Sequence, residues 1–124
     1  MKAENIKFKA KQLNSGKWFE GDLVHLGNRV CIGGDHIKDG ITDVDPSTVC
    51  QFTGMMDEDC NEIWEGDIVR DNDALLCIDN LYEVVYIEEE GTFAFKSLDK
   101  VDNYEPFVNL FKVHVIGNKF DKEK

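Results

Sequence analysis

Long apolar runs are missing from this sequence of 124 residues. No uncharged apolar stretch approaches the roughly 20 residues that a membrane-spanning helix needs. The opening residues Met1–Lys7 include two lysines and a glutamate, and they lack the apolar core of a secretory signal. We therefore expect a protein of the cytoplasm that has no membrane partner.

Cysteine motifs for metal or redox chemistry are also missing. The four cysteines, Cys31, Cys50, Cys60 and Cys77, form no Cys-x-x-Cys pair and have no histidine in zinc-ligand spacing. An even number of cysteines would permit two disulfides, but such bonds rarely persist in a reducing compartment. The sequence therefore predicts free thiols, no metal site and no other cofactor.

No group of residues selects a catalytic reaction. The three histidines, His25, His36 and His114, lie far apart, and no spacing pairs one of them with a cysteine or serine nucleophile. A phosphate-binding loop is missing too, because Gly33-Gly34 is not followed by Lys-Ser or Lys-Thr. We expect a protein that has no catalytic residues and is not an enzyme.

Acidic side chains near the middle of the chain leave one metal-dependent alternative open. Residues 57–61 carry Asp, Asp and Asn at calcium-loop spacing, but Glu62 replaces the required glycine and Ile68 stands where the bidentate acid should be. This pattern excludes an EF-hand. A cluster of Glu62, Glu65 and Asp67 could still hold a divalent cation, so a small metal-dependent hydrolase remains an alternative to a solvated acidic rim.

Positive charge is scarce in the same region. Residues 35–73 hold twelve Asp or Glu against two basic residues, whereas residues 1–34 have a small positive excess. Such an acidic belt repels the phosphate backbone, so direct nucleic-acid binding is disfavoured. The belt favours either a protein partner with a basic surface, contacted by Asp57, Asp59 and Glu62, or a solvated surface that keeps the protein soluble.

The most distinctive pattern that is present is a repeat. Residues 19–24, Phe-Glu-Gly-Asp-Leu-Val, recur as residues 64–69, Trp-Glu-Gly-Asp-Ile-Val. We expect each copy to form a tight turn at Gly-Asp that leads into an apolar strand. The aspartate is expected to cap the turn through its own side chain. The structural residues of the two copies are then Gly21, Asp22, Gly66 and Asp67.

Alternation of apolar and polar residues predicts a mostly β protein. Residues 1–49 are expected to form a β-meander with an irregular, Gly/Asp-rich loop at residues 33–45, the best candidate for a mobile segment. Residues 50–124 are expected to include five short strands with tight connections, from residues 68–69 to residues 111–116, which is typical of a small SH3-like barrel. The two parts are expected to make one compact unit.

The individual elements follow from local patterns. A hairpin is predicted around Glu89-Glu90-Gly91, and one helical turn is predicted at Asp45-Pro46-Ser47-Thr48, where a capping residue precedes proline. No segment has helical periodicity over more than a turn or two. The predicted strands cover residues 6–10, 18–26, 29–32, 49–53, 63–64, 68–69, 74–78, 82–87, 92–98 and 111–116.

Five segments of the chain resemble the YopX family of phage and prophage proteins. They are residues 44–49, 51–54, 57–59, 62–70 and 115–118, and their order and spacing also match. Residues 6–10 and 17–18 also fit the opening segment of the family, so the resemblance covers nearly the whole chain. It implies a β-rich fold with an SH3-like barrel. It also implies an origin in a phage or integrated element of a bacterial host cell, and no established activity. The last of these segments adds Gly117 and Asn118 to the structural residues.

One departure from the family pattern affects a turn. Cys60 stands where the family usually has glycine. A residue with a side chain must accept a left-handed backbone there, at a cost of about 1 kcal/mol, or shift the turn to Asn61. The other departures are Lys9, Cys50 and Trp64.

Three hypotheses of function follow. The leading one is a non-enzymatic phage or prophage accessory protein that binds a protein partner or assembles with itself as a homo-oligomer. The first alternative is an acidic decoy that inhibits a host enzyme by occupying its nucleic-acid site. The second alternative is the small metal-dependent hydrolase described above.

Overall fold

The computed structural model describes residues 2–73, 78–99, 103–106 and 112–121. Within these ranges the chain forms two antiparallel sheets and three short 3-10 turns, so the prediction of a mostly β protein is confirmed. No helix in the described part of the chain is long and apolar enough to cross a membrane.

The 3-10 turns are Ala3–Asn5, Lys38–Gly40 and Pro46–Thr48. The strands are β1 (Phe8–Lys11), β2 (Trp18–Leu26), β3 (Arg29–Gly33), β4 (Ile41–Asp43), β5 (Cys50–Met56), β6 (Glu62–Trp64), β7 (Asp67–Asp73), β8 (Ile78–Ile87), β9 (Thr92–Ser97), β10 (Tyr104–Pro106) and β11 (Val113–Asn118).

Residues 1–52 form the first of two compact units. Its strands follow the order β4-β3-β2-β1-β5, and β5 continues beyond the unit boundary to pair with β6. The lysines of β1 alternate with apolar residues, and this alternation places Ala10 in the core, fully buried. Lys9 and Lys11 lie on the other face, over the ring of Trp18. The core consists of Ala10, Ile32, Ile37 and Val44, with Phe8, Phe19, Leu23, Val30 and Val49 packed against it.

Residues 33–45 are more regular than their glycine and aspartate content predicts. β4 pairs with β3, where Asp43 lies opposite Cys31, and Ile37 is buried in the core. The prediction of an irregular connection is therefore wrong for this strand. The isoleucine and threonine of β4 favour an extended edge strand, but three residues are too few to produce a recognisable alternation.

The predicted helical turn before β5 is confirmed. Pro46–Thr48 forms a 3-10 turn, and Asp45 precedes it in an extended conformation. The Asp45 carboxylate accepts the backbone N–H of Ser47 at 3.0 Å. A short side chain and a proline thus start the turn, as the residue types predict.

Residues 53–124 form the second compact unit. Its five-stranded sheet has the order β10-β9-β8-β7-β11, with every pair antiparallel. The predicted hairpin around residues 89–91 is confirmed, because Ile87 pairs with Thr92 and the turn lies between them. The core consists of Ile63, Val69, Tyr82, Val84, Phe95 and Val113, with Val115 packed against it.

Two predicted strands lie partly outside the described residues. Residues 74–77 and 111 are not described, whereas Ile78 begins β8 and β11 ends at Asn118. Within the described ranges the five-stranded sheet is open, with β10 and β11 at its two edges. A closed SH3-like barrel is therefore not confirmed.

Candidate functional site

The second copy of the repeat, residues 64–69, forms the predicted turn. Gly66 has a φ of 89°, a left-handed conformation that glycine adopts without strain. Asp67 is 3% exposed. Its carboxylate accepts the backbone N–H of Trp64 at 2.8 Å and the side-chain amide of Asn118 at 3.3 Å. The aspartate therefore caps the turn through its side chain, as predicted.

The pair Gly117-Asn118 is attached to this turn. Asn118 lies opposite Asp67 in the register of β11 and β7. The next residue, Lys119, donates its backbone N–H to the carbonyl of Gly66 at 2.9 Å. These two segments are distant in sequence but bind each other, and their contacts fix the end of β11 against the start of β7.

The first copy of the repeat, residues 19–24, has a different backbone. It lies inside β2, so the expectation of two equivalent turns is not confirmed. Gly21 faces β3, where an added Cβ would overlap the carbonyl oxygen of Gly33. Asp22 is exposed on the strand. The two glycines serve different needs, because Gly21 permits a close approach of strands and Gly66 permits a positive φ.

The turn that follows β5 is organised by a buried carboxylate. Asp57 is 7% exposed and accepts backbone N–H groups from Asp59 at 2.9 Å and Asn61 at 2.7 Å. Cys60 takes the left-handed conformation itself, with a φ of 65°, so the turn does not shift to Asn61. We name residues 57–61 the edge clip.

The edge clip covers the outer edge of β11. The carboxylate of Asp57 accepts the backbone N–H of Val115 at 2.9 Å, and the backbone N–H of Glu58 donates to the carbonyl of Val113 at 3.1 Å. Burial alone would raise the pKa of Asp57. The hydrogen bonds from Val115 and Asn61 outweigh burial, however, and hold this pKa below its usual range. The clip satisfies polar groups that would otherwise form an open strand edge.

An exposed ion pair adds to the same contact. His114 Nδ1 lies 2.7 Å from a carboxylate oxygen of Asp59. The hydrogen bond to Asp59 raises the pKa of His114 above its ordinary value, and the charges of Glu58 and Asp57 act in the same direction. Protonation of His114 therefore strengthens the attachment of the edge clip to β11.

The three residues that the sequence predicts as partner contacts differ in what they can offer. Asp57 is buried, and its carboxylate is committed to the edge clip. The side chain of Asp59 is 60% exposed, and Glu62 is half-buried at the start of β6. The structure thus brings Asp57 and Asp59 into one turn but leaves Asp59 as the most accessible of the three.

Within the described ranges, no three His, Cys, Asp or Glu side chains are grouped so that they could hold a metal ion. In the predicted cluster, Asp67 uses both carboxylate oxygens in hydrogen bonds to the protein. Glu62 and Glu65, which both precede Asp67 in the sequence, are half-buried. The arrangement gives no support to the hydrolase alternative.

The cysteines in the described ranges are free thiols, as predicted, and Cys77 lies outside those ranges. Cys31 and Cys50 are buried, and Cys60 is exposed. Burial, together with the nearby Asp43 carboxylate, raises the pKa of the Cys31 thiol. A buried thiol with a raised pKa is a poor nucleophile, so Cys31 serves the core.

A groove of about 880 Å³ opens at the hairpin end of the second unit. We name it the hairpin groove, and its walls come from β5, β8, β9 and β10. Tyr86 and Phe93 lie opposite each other at the end of the hairpin, with their rings 5.2 Å apart in an edge-to-face arrangement. Tyr104 and Met55 also line the groove, and they are 43% and 50% exposed. The groove therefore presents accessible aromatic and apolar surface.

The rim of the hairpin groove is acidic. Glu88, Glu89 and Glu90 form the hairpin turn, and all three are exposed. Lys96 is the one basic side chain among the lining residues, all of which lie in the described ranges. The groove therefore combines apolar walls with an excess of negative charge at its mouth.

Sequence reasoning identified the hairpin but missed the groove. The groove needs residues from four strands, and alternation within one strand does not show which strands come together. A signal was nevertheless present, because Tyr86 and Phe93 extend the apolar face of the hairpin toward three consecutive glutamates. An apolar face that continues beyond the core can indicate a binding surface.

A family described as YopX protein matches residues 7–123. No curated protein matches the chain significantly. The family match spans β1 to β11 and includes the Gly66 turn, the edge clip and the hairpin groove. The chain therefore belongs to the YopX family.

Proposed function

We propose that this chain is a non-enzymatic protein-binding module, and that it binds its partner through the hairpin groove. The main support for this proposal is the concentration of accessible aromatic and apolar side chains around one groove. Tyr86 and Tyr104 are each 43% exposed, and Met55 is 50% exposed. Tyrosine and methionine are enriched at the centres of protein interfaces, where they supply contact area.

The chemistry of the groove favours binding over catalysis. Its titratable lining residues, all within the described ranges, are glutamate, lysine and tyrosine, without histidine or cysteine. Nucleophilic catalysis requires a nucleophile beside a base that can activate it. The lining offers contact area and charge, which are the requirements of recognition.

The biological setting of the proposal comes from the family resemblance. We propose an accessory protein of a phage or prophage that acts in the cytoplasm of the bacterial host. We also propose that the second unit is an SH3-like scaffold, since strands β6, β7, β8, β9 and β11 contribute residues to one apolar core. Self-assembly into a homo-oligomer is one form that binding through the groove could take.

The decoy alternative receives less support from the placement of the acidic belt. Asp57 and Asp67 are buried and hold backbone and amide groups. Asp43 is bound to Arg29 at 2.9 Å and to the Cys31 thiol at 3.1 Å. Several belt carboxylates thus stabilise turns and strands, which reduces the charge available to imitate a nucleic-acid backbone.

Site-specific photo-crosslinking tests the binding function. A photoreactive phenylalanine analogue replaces Tyr86 or Tyr104 in the groove, and in a matched control it replaces Ile116, which is 55% exposed on β11. In the bacterium that carries the gene, we expect the two groove positions to form the same covalent adduct and the control position to form none. Equal crosslinking at all three positions, or no adduct at either groove position, would contradict the proposal.

A further inference from the structure

Resting on the proposed function, we propose that the occupant of the hairpin groove is an extended, positively charged segment of a partner protein that carries an aromatic or large aliphatic side chain. Its apolar side chain would lie against Tyr86, Phe93 and Tyr104, and its Lys or Arg side chains would meet the glutamate rim. Three features of the groove favour this occupant: the charge at its mouth, the chemistry of its walls and the backbone at its edge.

Charge selects a basic occupant. Three exposed carboxylates, those of Glu88, Glu89 and Glu90, stand at the mouth against one ammonium group, that of Lys96. Charges of opposite sign accelerate encounter and discourage partners of the wrong sign. A nucleic-acid strand would bring its phosphates against the glutamates, so the same charge disfavours it.

The walls select a side chain with a large apolar or aromatic surface. The edge-to-face pair of Tyr86 and Phe93 forms one wall, and Met55 adds a flexible, polarisable side chain that adapts to its neighbours. Aromatic faces also attract Lys and Arg cations. The aromatic walls and the acidic rim therefore both favour the binding of one basic segment, through residues that are neighbours in it. A free metal ion or a small polyamine would leave the apolar walls in contact with water.

The edge strand beside the groove favours recognition of a partner through its side chains over the addition of another strand. Within the described residues, β10 is the edge strand beside the groove and covers Tyr104–Pro106. Proline has no backbone N–H to donate, so this edge gives a poor template for the addition of another strand. A cavity of this size suits a few residues of an extended chain that insert their side chains.

Peptide selection tests the proposal with the purified full chain. A random octapeptide library is selected on the immobilised protein, and the selected peptides are synthesised with a fluorescent label for anisotropy measurements. We expect the selected peptides to be enriched in Lys or Arg beside an aromatic or large aliphatic residue. Binding should weaken strongly in about 1 M salt, where the Debye length is about 3 Å.

Two charge variants provide the matched comparison. The triple variant Glu88→Gln, Glu89→Gln and Glu90→Gln removes three exposed charges from the rim. The control variant Glu4→Gln, Asp22→Asn and Asp35→Asn removes three exposed charges from the first unit. We expect the rim variant to bind the selected basic peptides at least about tenfold more weakly and the control to bind as the wild type does.

The outcomes separate this inference from the proposed function. Selected peptides that lack basic residues, or equal loss of binding in both charge variants, would overturn the basic-segment proposal, while crosslinking at Tyr86 could still support a binding module. A Tyr86 adduct of the chain with itself would assign the groove to self-association and would also overturn the proposal. Absence of crosslinks at the groove positions would instead contradict the proposed function itself.

Discussion

The carboxylate of Asp57 accepts the backbone N–H of Val115 at 2.9 Å, although 58 positions separate the two residues in the sequence. A carboxylate here takes the place that a carbonyl group of a neighbouring strand would occupy in a larger sheet. The result is a covered edge strand, which limits unwanted pairing between sheets. The side chain that the sequence suggested as a partner contact therefore belongs to the scaffold.

Replacement of Asp57 by asparagine should destabilise the protein. Asparagine keeps the size of the side chain, but it presents one acceptor oxygen and an NH2 group to backbone donors from Asp59, Asn61 and Val115. We expect the free energy of unfolding to fall by about 2–3 kcal/mol, since hydrogen bonds to a buried charged group are lost. Urea denaturation at neutral pH measures this change as a lower midpoint.

The control for this variant is Glu58→Gln, which changes an exposed side chain in the same turn. It should change the free energy of unfolding by less than about 0.5 kcal/mol. The folded state lowers the pKa of Asp57, so its stabilising effect is present above the unfolded pKa and is lost as the pH falls through the folded pKa. A difference between wild type and Asp57→Asn that persisted unchanged in strong acid would contradict this role.

His114 should make the attachment of the edge clip dependent on pH. Its folded pKa is raised by the hydrogen bond to Asp59, so its contribution to stability is full below the unfolded pKa. That contribution is lost as the pH rises through the folded pKa. We expect the urea midpoint of wild type to exceed that of His114→Gln at pH 5.5 and the two midpoints to converge by pH 9.

A second variant identifies the partner of His114. Asp59→Asn removes the carboxylate from the pair, so its unfolding should lose the same dependence on pH between these two values. NMR titration of the His114 ring should then give a lower pKa than in wild type. A midpoint difference that grows toward pH 9 would show that the sign is wrong.

Sequence reasoning was most successful where one short segment contains all the interacting residues. The cap of Asp67 on Trp64 acts across three residues, and the turn at residues 89–91 joins neighbouring strands. The contact of Asp57 with Val115 depends on tertiary structure, because no local pattern selects a donor so distant in sequence. The hairpin groove was missed for the same reason, since it combines residues of four strands.

The repeat shows that identical residues can meet different structural requirements in its two copies. Gly66→Ala should cost about 1–2 kcal/mol, because alanine at a φ of 89° is strained. Gly21→Ala should cost about 2 kcal/mol through overlap with the carbonyl of Gly33, a backbone atom that cannot move aside freely. Thermal unfolding of each variant measures these losses.

Gly117→Ala is the matched glycine control for these two variants. It has no positive φ, and an added Cβ would meet no atom within 4 Å. We expect it to change stability by less than about 0.5 kcal/mol. If all three alanine variants melted at the same temperature, neither the close approach at Gly21 nor the positive φ at Gly66 would explain the repeat.

Cys60 offers a stabilising substitution. It has a φ of 65° and an exposed side chain, so its conformation is strained without compensation from burial in the core. Replacement by glycine should relieve the strain and stabilise the protein by about 1 kcal/mol. The comparison variant Cys60→Ala keeps a Cβ and should melt close to wild type, whereas Cys60→Gly should melt higher. If glycine instead lowered the melting temperature below that of alanine, the greater freedom of the unfolded glycine chain would outweigh the strain that Cys60 carries in the folded turn.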